Sequence, residues 1–319
     1  MQAVPDNEPL VSVIIPALDA ERWIEDALSS VLAQTWARLE VIVVDDGSGD
    51  GTRDRITAAS DNRVTLVTQE HRGAAAARNH GFAQCSGDLI QFLDADDLLG
   101  SEKIGLQIDA LRHAPEGSVA SCAWSPFSDE IESATIDPEQ VWPVADPIEW
   151  LARSLSGEGM MQPACWLVPR SVAEAAGPWD ETLSLHDDGE YFARVLANAA
   201  RNVFVDGATV YYRVVEGSLS RRRSRSAIES ALAVCRLRQK TLSSARDDEL
   251  SRRAIATQYA QFVYEFGSSA PDLAHLALNE MNAIGVEPTN SVGGGSFRRA
   301  ARLMGTDAAL RLRSRLGRG

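Results

Sequence analysis

Three carboxylates occupy four consecutive positions in the segment FLDADD, at Asp94, Asp96 and Asp97. The apolar residues before them are typical of the end of a strand, so the alternate residues Asp94 and Asp96 are expected to face one crevice. A hard divalent cation would relieve their repulsion, because Mg²⁺ and Mn²⁺ prefer oxygen ligands and are often held by one or two carboxylates plus phosphates. The segment therefore predicts a Mn²⁺ or Mg²⁺ site. The alternative is that Asp96 or Asp97 caps a helix that begins near Ser101.

Alternating strands and helices are expected to position this cluster. Short β-branched runs are typical of strands buried on both faces of a parallel sheet, and segments with helical spacing of apolar residues lie between them. The predicted strands are Val11–Ala17, Leu39–Val44, Val64–Glu70 and the run DLIQFL, which leads into the acidic cluster. Residues 10–97 are therefore predicted to form a doubly wound α/β unit, in which ligands bind beyond the carboxyl ends of the strands. Three polar strand exits should converge there, although any one of them is also compatible with an ordinary turn: Pro16–Ala17, Asp45–Asp46 and Asp94–Asp96.

Four motifs in a fixed order carry a family resemblance. They are VSVIIPALDAERWIEDALSSVLAQTW, EVIVVDDGSGDGT, GAAAARNHGFAQCSGDLIQFLDADD and LHDDGEYFARVL. Over residues 10–215 the chain resembles the family 2 glycosyltransferases, which are inverting enzymes of the GT-A fold. The resemblance implies an α/β protein, with a GT-A type doubly wound mixed sheet, flanking helices and a helical C-terminal region. It also implies metal-assisted sugar transfer from a nucleoside-diphosphate sugar of the UDP or GDP/dTDP type to a glycan or lipid-linked acceptor, in cell-surface polysaccharide or glycan synthesis.

The resemblance also implies which residues bind the donor. In the family, the first strand end and the equivalent of Asp46 hold the nucleotide base and ribose. Leu18–Asp19 stands where an aromatic residue and an asparagine are usual. Asp94 is expected on the ribose side and Asp96 at the metal, whereas Arg78 is expected near the nucleotide or in a salt bridge with a strand-end aspartate. The implied nucleotide-sugar site is Pro16, Ala17, Asp19, Asp46, Arg78, Asp94, Ala95 and Asp96.

The second acidic pair lies in HDDGEYF, where Asp187–Asp188 matches the Glu-Asp pair of the family. The resemblance assigns Asp188 as the general base, since one carboxylate can take the proton of an attacking hydroxyl, and Asp187 as an acceptor contact. The alternative is that both carboxylates only stabilise the start of a helix. Trp179 is expected either to stack on an acceptor sugar or to belong to the core. His186 is given no catalytic role.

Two other functions compete with sugar transfer. A nucleotidyltransferase also uses an α/β sheet and paired carboxylates, but it usually has a Gly-rich, basic loop after the first strand, which PALDAERW lacks. A sugar-nucleotide binding module without catalytic activity is the other alternative. The presence of four acidic residues at motif positions argues against such a module: Asp46, Asp94, Asp96 and Asp188.

The chain is expected to comprise an N-terminal extension (1–9), a catalytic domain (10–220) and a helical C-terminal region with a basic tail (221–319). Residues 10–100 are the nucleotide-binding half of the catalytic domain, and residues 101–220 are the acceptor half. Arg221, in SLSRRRSRS, is predicted to contact a donor phosphate, and a solvated charge run is the alternative. The basic tail is predicted either to rest on an anionic membrane or to pack on the catalytic domain. Its apolar stripe comprises Leu303, Met304, Leu310, Leu312 and Leu316.

Composition limits the partners and the setting. The net charge of −14, from 31 basic and 45 acidic residues, argues against nucleic-acid binding. The four cysteines form no CxxC pair, so we expect free thiols and no zinc site. The sequence shows neither a signal-peptide pattern nor a run of eighteen apolar residues. A cytoplasmic protein, dissolved or peripheral on the inner face of the membrane, is expected.

Overall fold

The computed structural model describes residues 8–128, 131, 134–215, 224–289 and 292–316. The first hundred residues alternate strands and helices, which confirms the predicted α/β order. These elements are β1 (Val11–Ala17), α1 (Ile24–Leu32), β2 (Leu39–Asp45), α2 (Thr52–Ala58), β3 (Val64–Thr68), α3 (Ala74–Gln84) and β4 (Leu89–Phe92).

The main sheet has five strands in the order β3-β2-β1-β4-β7, where β7 is Val168–Pro169. The first four strands are parallel and β7 is antiparallel to β4, so the sheet is mixed, as predicted. The central strands are buried on both faces, which explains their continuous β-branched sequence. Helix α3 approaches β1 closely at Gly81, where an added Cβ would lie 2.5 Å from Ile14 Cγ2.

The segment from residue 98 to residue 213 adds a second sheet that the sequence did not predict. Its three strands have the order β5-β8-β6, with β8 antiparallel to β5 and parallel to β6. The elements from residue 98 onwards are β5 (Leu98–Leu99), α4 (Lys103–Arg112), β6 (Val119–Phe127), α5 (Pro147–Leu155), α6 (Arg170–Ala176), α7 (Asp187–Asn198) and β8 (Asn202–Arg213). Because β5 follows the acidic cluster directly, its pairing in this second sheet holds the backbone in place just after that cluster.

The apolar sequence of Ala164–Val168 is typical of a strand, but the segment does not form one. A 3₁₀ turn occupies Pro163–Cys165, and only β7 pairs with the main sheet. Leu167 instead forms an isolated bridge to Ala120 of β6. The apolar run is therefore divided between two sheets.

Five helices follow in the described C-terminal residues: α8 (Arg225–Ala245), α9 (Glu249–Phe266), α10 (Pro271–Ile284), α11 (Gly295–Met304) and α12 (Thr306–Leu316). One hydrophobic core runs from Val11 on β1 to Leu310 on α12. The predicted tail stripe is divided, since Leu310 is buried whereas Leu303 is 87% exposed. Among the described helices, none combines the length and apolarity needed to cross a membrane.

Candidate functional site

The ends of three strands lie side by side at one edge of the main sheet. Ala17 at the end of β1 lies opposite Asp45 of β2, and Ile14 lies opposite Phe92 of β4. The backbone N–H of Leu93 donates to the Ile14 carbonyl at 3.0 Å, which continues the pairing to the start of the acidic cluster. The predicted convergence of polar strand exits is therefore present in the structure.

Asp46 organises the loop between β3 and α3. Its carboxylate accepts four hydrogen bonds, from Gln69 Nε2 at 2.7 Å and from His71 Nδ1, Arg72 N and Gly73 N at 2.8 Å each. Burial alone would raise the pKa of Asp46, but these donors outweigh burial and hold the pKa below its ordinary value. Asp46 is therefore ionised and fixed in place beside the strand ends.

The loop after β1 is tied to the loop after β2. Asp19 has a left-handed backbone (φ 48°), and its carboxylate accepts a hydrogen bond from Gly49 N at 2.8 Å. The backbone N–H of Asp19 donates to Ser48 Oγ at 3.0 Å. A positive φ is uncommon outside glycine and is held only where surrounding contacts determine it. Of the other predicted donor residues, Pro16 is half-buried, and Ala17 is 2% and Ala95 8% exposed.

Arg78 joins the two acidic motifs. Its Nη2 contacts Asp94 Oδ1 at 2.7 Å and its Nη1 contacts Asp187 Oδ2 at 3.1 Å. The salt bridge to a strand-end aspartate, one of the two sequence alternatives, is thus confirmed. Burial would lower the pKa of this guanidinium, but the charges of Asp94 and Asp187 raise it. One buried cation therefore holds the end of β4 and the start of α7 in a single site.

Asp96 and Asp97 differ in their surroundings. Asp97 is 1% exposed and accepts a hydrogen bond from Arg213 N at 2.9 Å. Burial, with the nearby charge of Asp94, raises the pKa of Asp96 to about 6, and Arg213 opposes that shift. Neither residue caps α4, because that helix begins at Lys103 after Glu102 and has no side-chain cap. The capping alternative for the acidic cluster is therefore wrong.

The cluster fits a cation that is held partly by a substrate. No group of three or more acidic, histidine or cysteine side chains in the described part of the chain is placed to bind a metal ion. Asp94 and Asp96 instead repel one another at a half-buried strand end, which favours bound positive charge. Mg²⁺ and Mn²⁺ sites that use one or two carboxylates take their remaining ligands from phosphates and water. Asp96, beside Asp94, is the carboxylate placed for this.

The pair Asp187–Asp188 lies in the first turn of α7, where ionised carboxylates are favoured by the helix dipole. Burial raises the pKa of Asp187, and Arg78 opposes that shift. Asp188 is half-buried, and its Oδ1 accepts a hydrogen bond from Gly189 N at 2.7 Å. The residue before the pair, His186, has a left-handed backbone (φ 61°). Asp188 and His186 both line a cavity of 360 Å³.

Trp179 is 3% exposed. Its ring stacks on Tyr191 with centroids 4.1 Å apart, and the Arg78 guanidinium lies 4.4 Å from its centroid. The sequence allowed Trp179 either to stack on an acceptor sugar or to belong to the core, and its burial favours the core. Trp179 thereby supports Arg78 and, through it, both carboxylates of the bridge.

Two arginines other than Arg78 bear on the predicted site. Arg221, the predicted phosphate contact, lies outside the described residues. Arg238 was missed by the sequence analysis, although Val234, Cys235 and Arg238 share one buried face of α8 by helical spacing. Its Nε is buried without a hydrogen-bond partner, and a Cβ on Gly189 would overlap its Nη2. Arg238 therefore lies directly against the residue that follows Asp188.

Known proteins resemble this chain in sequence and in fold. The sequence model of Glycosyl transferase family 2 matches residues 12–175. The UDP-Glc:alpha-D-GlcNAc-diphosphoundecaprenol beta-1,3-glucosyltransferase WfgD of Escherichia coli is 45% identical over 106 residues, which are 33% of this chain and 42% of WfgD. The chain thus spans less than half the length of this relative.

Solved structures extend the likeness to nearly the whole fold. S. aureus TarS 1-349 in complex with UDP-GlcNAc superposes with a TM-score of 0.73 at 19% identity, covering 95% of this chain and 90% of that chain. The mannosyltransferase PcManGT from Pyrobaculum calidifontis, in complex with GDP-Man and Mn²⁺, has a TM-score of 0.54 at 18% identity. The superposition covers 99% of this chain and 89% of PcManGT. These likenesses confirm the predicted fold class.

Proposed function

Because the chain belongs to glycosyl transferase family 2 and is therefore a glycosyltransferase, we propose that it transfers a sugar, with inversion, from a UDP-sugar to an acceptor hydroxyl. The proposed setting is cell-surface polysaccharide or glycan synthesis, with a glycan or a lipid-linked glycan as acceptor. The observation that carries the proposal is the Arg78 bridge, which holds Asp94 and Asp187 in one site. Donor and acceptor groups then meet between these two carboxylates.

Asp188 is the proposed general base. Inversion needs a direct displacement at the anomeric carbon, and a single carboxylate can accept the proton of the attacking hydroxyl. Asp188 lies in the first turn of α7, and its neighbour Asp187 is held by Arg78. We assign Asp187 to orienting the acceptor, because its ion pair leaves Asp188 as the carboxylate of the pair that can take a proton.

The donor is proposed to lie along the strand ends. Pro16, Ala17, Asp19 and Asp46 take the nucleoside side, and Asp94, Ala95 and Asp96 take the ribose and diphosphate side. Asp96, beside Asp94, would hold Mn²⁺ or Mg²⁺, which supplies positive charge to the departing diphosphate. WfgD, which is 45% identical over the aligned residues, is named for a UDP-sugar, and this supports UDP over GDP or dTDP. Arg221 stays assigned to a phosphate as a prediction.

The activity test is donor turnover with Mn²⁺ and a panel of UDP-, GDP- and dTDP-sugars. We expect release of the nucleoside diphosphate from one class of donor, slow without acceptor and faster with it. Asp188→Asn should lower acceptor-dependent turnover by about 10²–10⁴-fold while the donor still binds. Pyrophosphate release from a nucleoside triphosphate would instead support a nucleotidyltransferase, and binding without any turnover would support a binding module.

Peripheral membrane contact in the cytoplasm is a second proposal, and it rests on the tail. Leu303 and Met304 are 87% and 47% exposed at the end of α11, beside the exposed side chains of Arg298, Arg299 and Arg302. Exposed apolar and basic side chains on one helix favour anionic lipid surfaces. We expect Leu303→Glu to reduce sedimentation with anionic vesicles, and equal retention of the variant would overturn the contact.

A further inference from the structure

The cavity beside Asp188 has an apolar wall that the proposed chemistry leaves unexplained. It lies between α5, α7, α8 and α9 and has a volume of 360 Å³, within the range of small-molecule sites. Two tryptophans and three phenylalanines contribute to the wall: Trp150, Trp166, Phe192, Phe262 and Phe266. The rings belong to the hydrophobic core and pack on one another, with the centroids of Trp150 and Trp166 5.0 Å apart. The wall that they present to the cavity is apolar and suits an acceptor with an apolar part.

Arg238 supplies a cation at the same cavity. Its Nε is buried without a hydrogen-bond partner, and burial lowers the pKa of the guanidinium although the charges of Asp188 and Glu190 oppose that shift. An arginine in such surroundings carries a desolvation cost that a bound anion would offset. Gly189 makes the placement possible, because any larger residue there would overlap the guanidinium. The cavity thus combines a carboxylate at Asp188, a guanidinium at Arg238 and an aromatic wall.

We propose that this cavity binds the phosphate and the first part of the apolar chain of a lipid-linked acceptor. Arg238 contacts the phosphate, the rings enclose the chain, and Asp188 faces the sugar hydroxyl. This inference rests on the proposed function, since it names the acceptor class of that site. The volume of the cavity suits a short length of the lipid chain, and the rest of the lipid would extend out of the cavity.

The placement of the tail agrees with this occupant. Helix α9 supplies Phe262 and Phe266 to the cavity, and its Tyr264 contacts Phe297 of α11 with ring centroids 4.9 Å apart. The exposed Leu303 belongs to that same α11. The proposed lipid-facing helix therefore packs on the helix that walls the cavity.

The test measures binding of farnesyl diphosphate, farnesol and inorganic diphosphate to the full chain, by tryptophan fluorescence and by thermal shift. We expect farnesyl diphosphate to bind at least tenfold more tightly than either of the others. Ala231→Leu places a larger side chain in the cavity wall and should weaken the binding of farnesyl diphosphate at least tenfold. The matched change Ala245→Leu, on the exposed face of the same helix, should leave that binding unchanged. Arg238→Met should weaken the binding of farnesyl diphosphate but leave the binding of farnesol unchanged.

Failure of this inference is separable from failure of the proposed function. The thermal shift produced by UDP with Mn²⁺ reports the donor site and shows that each variant is folded. If that shift is present but farnesyl diphosphate binds no better than diphosphate, the lipid site is overturned and the sugar transfer stands. Equal binding to wild type and Ala231→Leu would also overturn it. Absence of the UDP shift in the wild type would contradict the proposed function itself.

Discussion

Replacing Asp96 by asparagine should make the protein more stable while abolishing its response to metal. The carboxylate of Asp96 is half-buried beside Asp94, and its pKa lies at about 6 instead of 3.8. Because the folded-state pKa is raised, the folded state favours the protonated form. The ionised form therefore costs stability at every pH above the folded pKa, and this cost disappears as the pH falls through about 6 toward 3.8.

The size of the effect follows from the displaced pKa. A change from 3.8 to about 6 corresponds to about 3 kcal/mol between the two protonation states. Asparagine has nearly the same shape and no charge, so Asp96→Asn should gain up to that amount at about pH 8. In a chain of this length the gain equals about 4 °C in Tm. Near pH 4 the difference should fall below about 1 kcal/mol, because Asp96 is then protonated in the folded chain and nearly half protonated in the unfolded chain.

The assay is calorimetric unfolding in EDTA from about pH 4 to 8, for the wild type and Asp96→Asn. The matched control is Asp109→Asn on the exposed face of α4, which should change the stability by less than about 0.5 kcal/mol at any pH. In a second series, Mn²⁺ with UDP should raise the Tm of the wild type and leave that of Asp96→Asn unchanged. A variant less stable than wild type at pH 8, or a difference independent of pH, would refute the reasoning.

Three further predictions concern the residues that support the site. Arg78→Ala should destabilise the protein by about 3 kcal/mol in urea unfolding, because two carboxylates lose a shared buried partner; an unchanged midpoint would contradict this. Gly81→Ala should cost about 1–3 kcal/mol through overpacking against Ile14, and a more stable variant would show that α3 can move. Burial lowers the pKa of Lys103 to about 8, so wild-type stability should rise between pH 8 and 10.5, where the folded chain has lost the Lys103 proton and the unfolded chain still holds it. Lys103→Met should lack that rise in pH-dependent calorimetry, and a rise equal to that of wild type would show that other groups cause it.

The main sheet was predictable because its strands are continuous apolar runs buried on both faces. β1 starts and ends at the predicted residues, and β2 differs by one residue. The segment at Ala164–Val168 was equally apolar, yet it forms a turn and a two-residue strand. An apolar, buried sequence was therefore not sufficient to form a continuous strand in this segment, because its pairing partners belong to two different sheets. Such long-range pairing leaves no local signal in the sequence.

The candidate site was predictable where a carboxylate follows a strand, and less so where its partners come from distant segments. The convergence of Asp46 and Asp94 at one edge followed from the strand pattern alone. The four donors that fix Asp46 lie in a loop more than twenty residues later, and nothing in their spacing marked them. Arg238 was also missed, because the burial of an arginine depends on its three-dimensional surroundings more than on its neighbours in sequence.

The central claim is that separate acidic turns hold one divalent cation together with the donor diphosphate. A crystal grown with Mn²⁺ and UDP tests it directly, through anomalous scattering at the manganese. We predict a manganese peak about 2.0–2.4 Å from a carboxylate oxygen of Asp96 and in contact with the UDP phosphates. UDP bound elsewhere, or manganese absent while Asp96 points into solvent, would contradict the account.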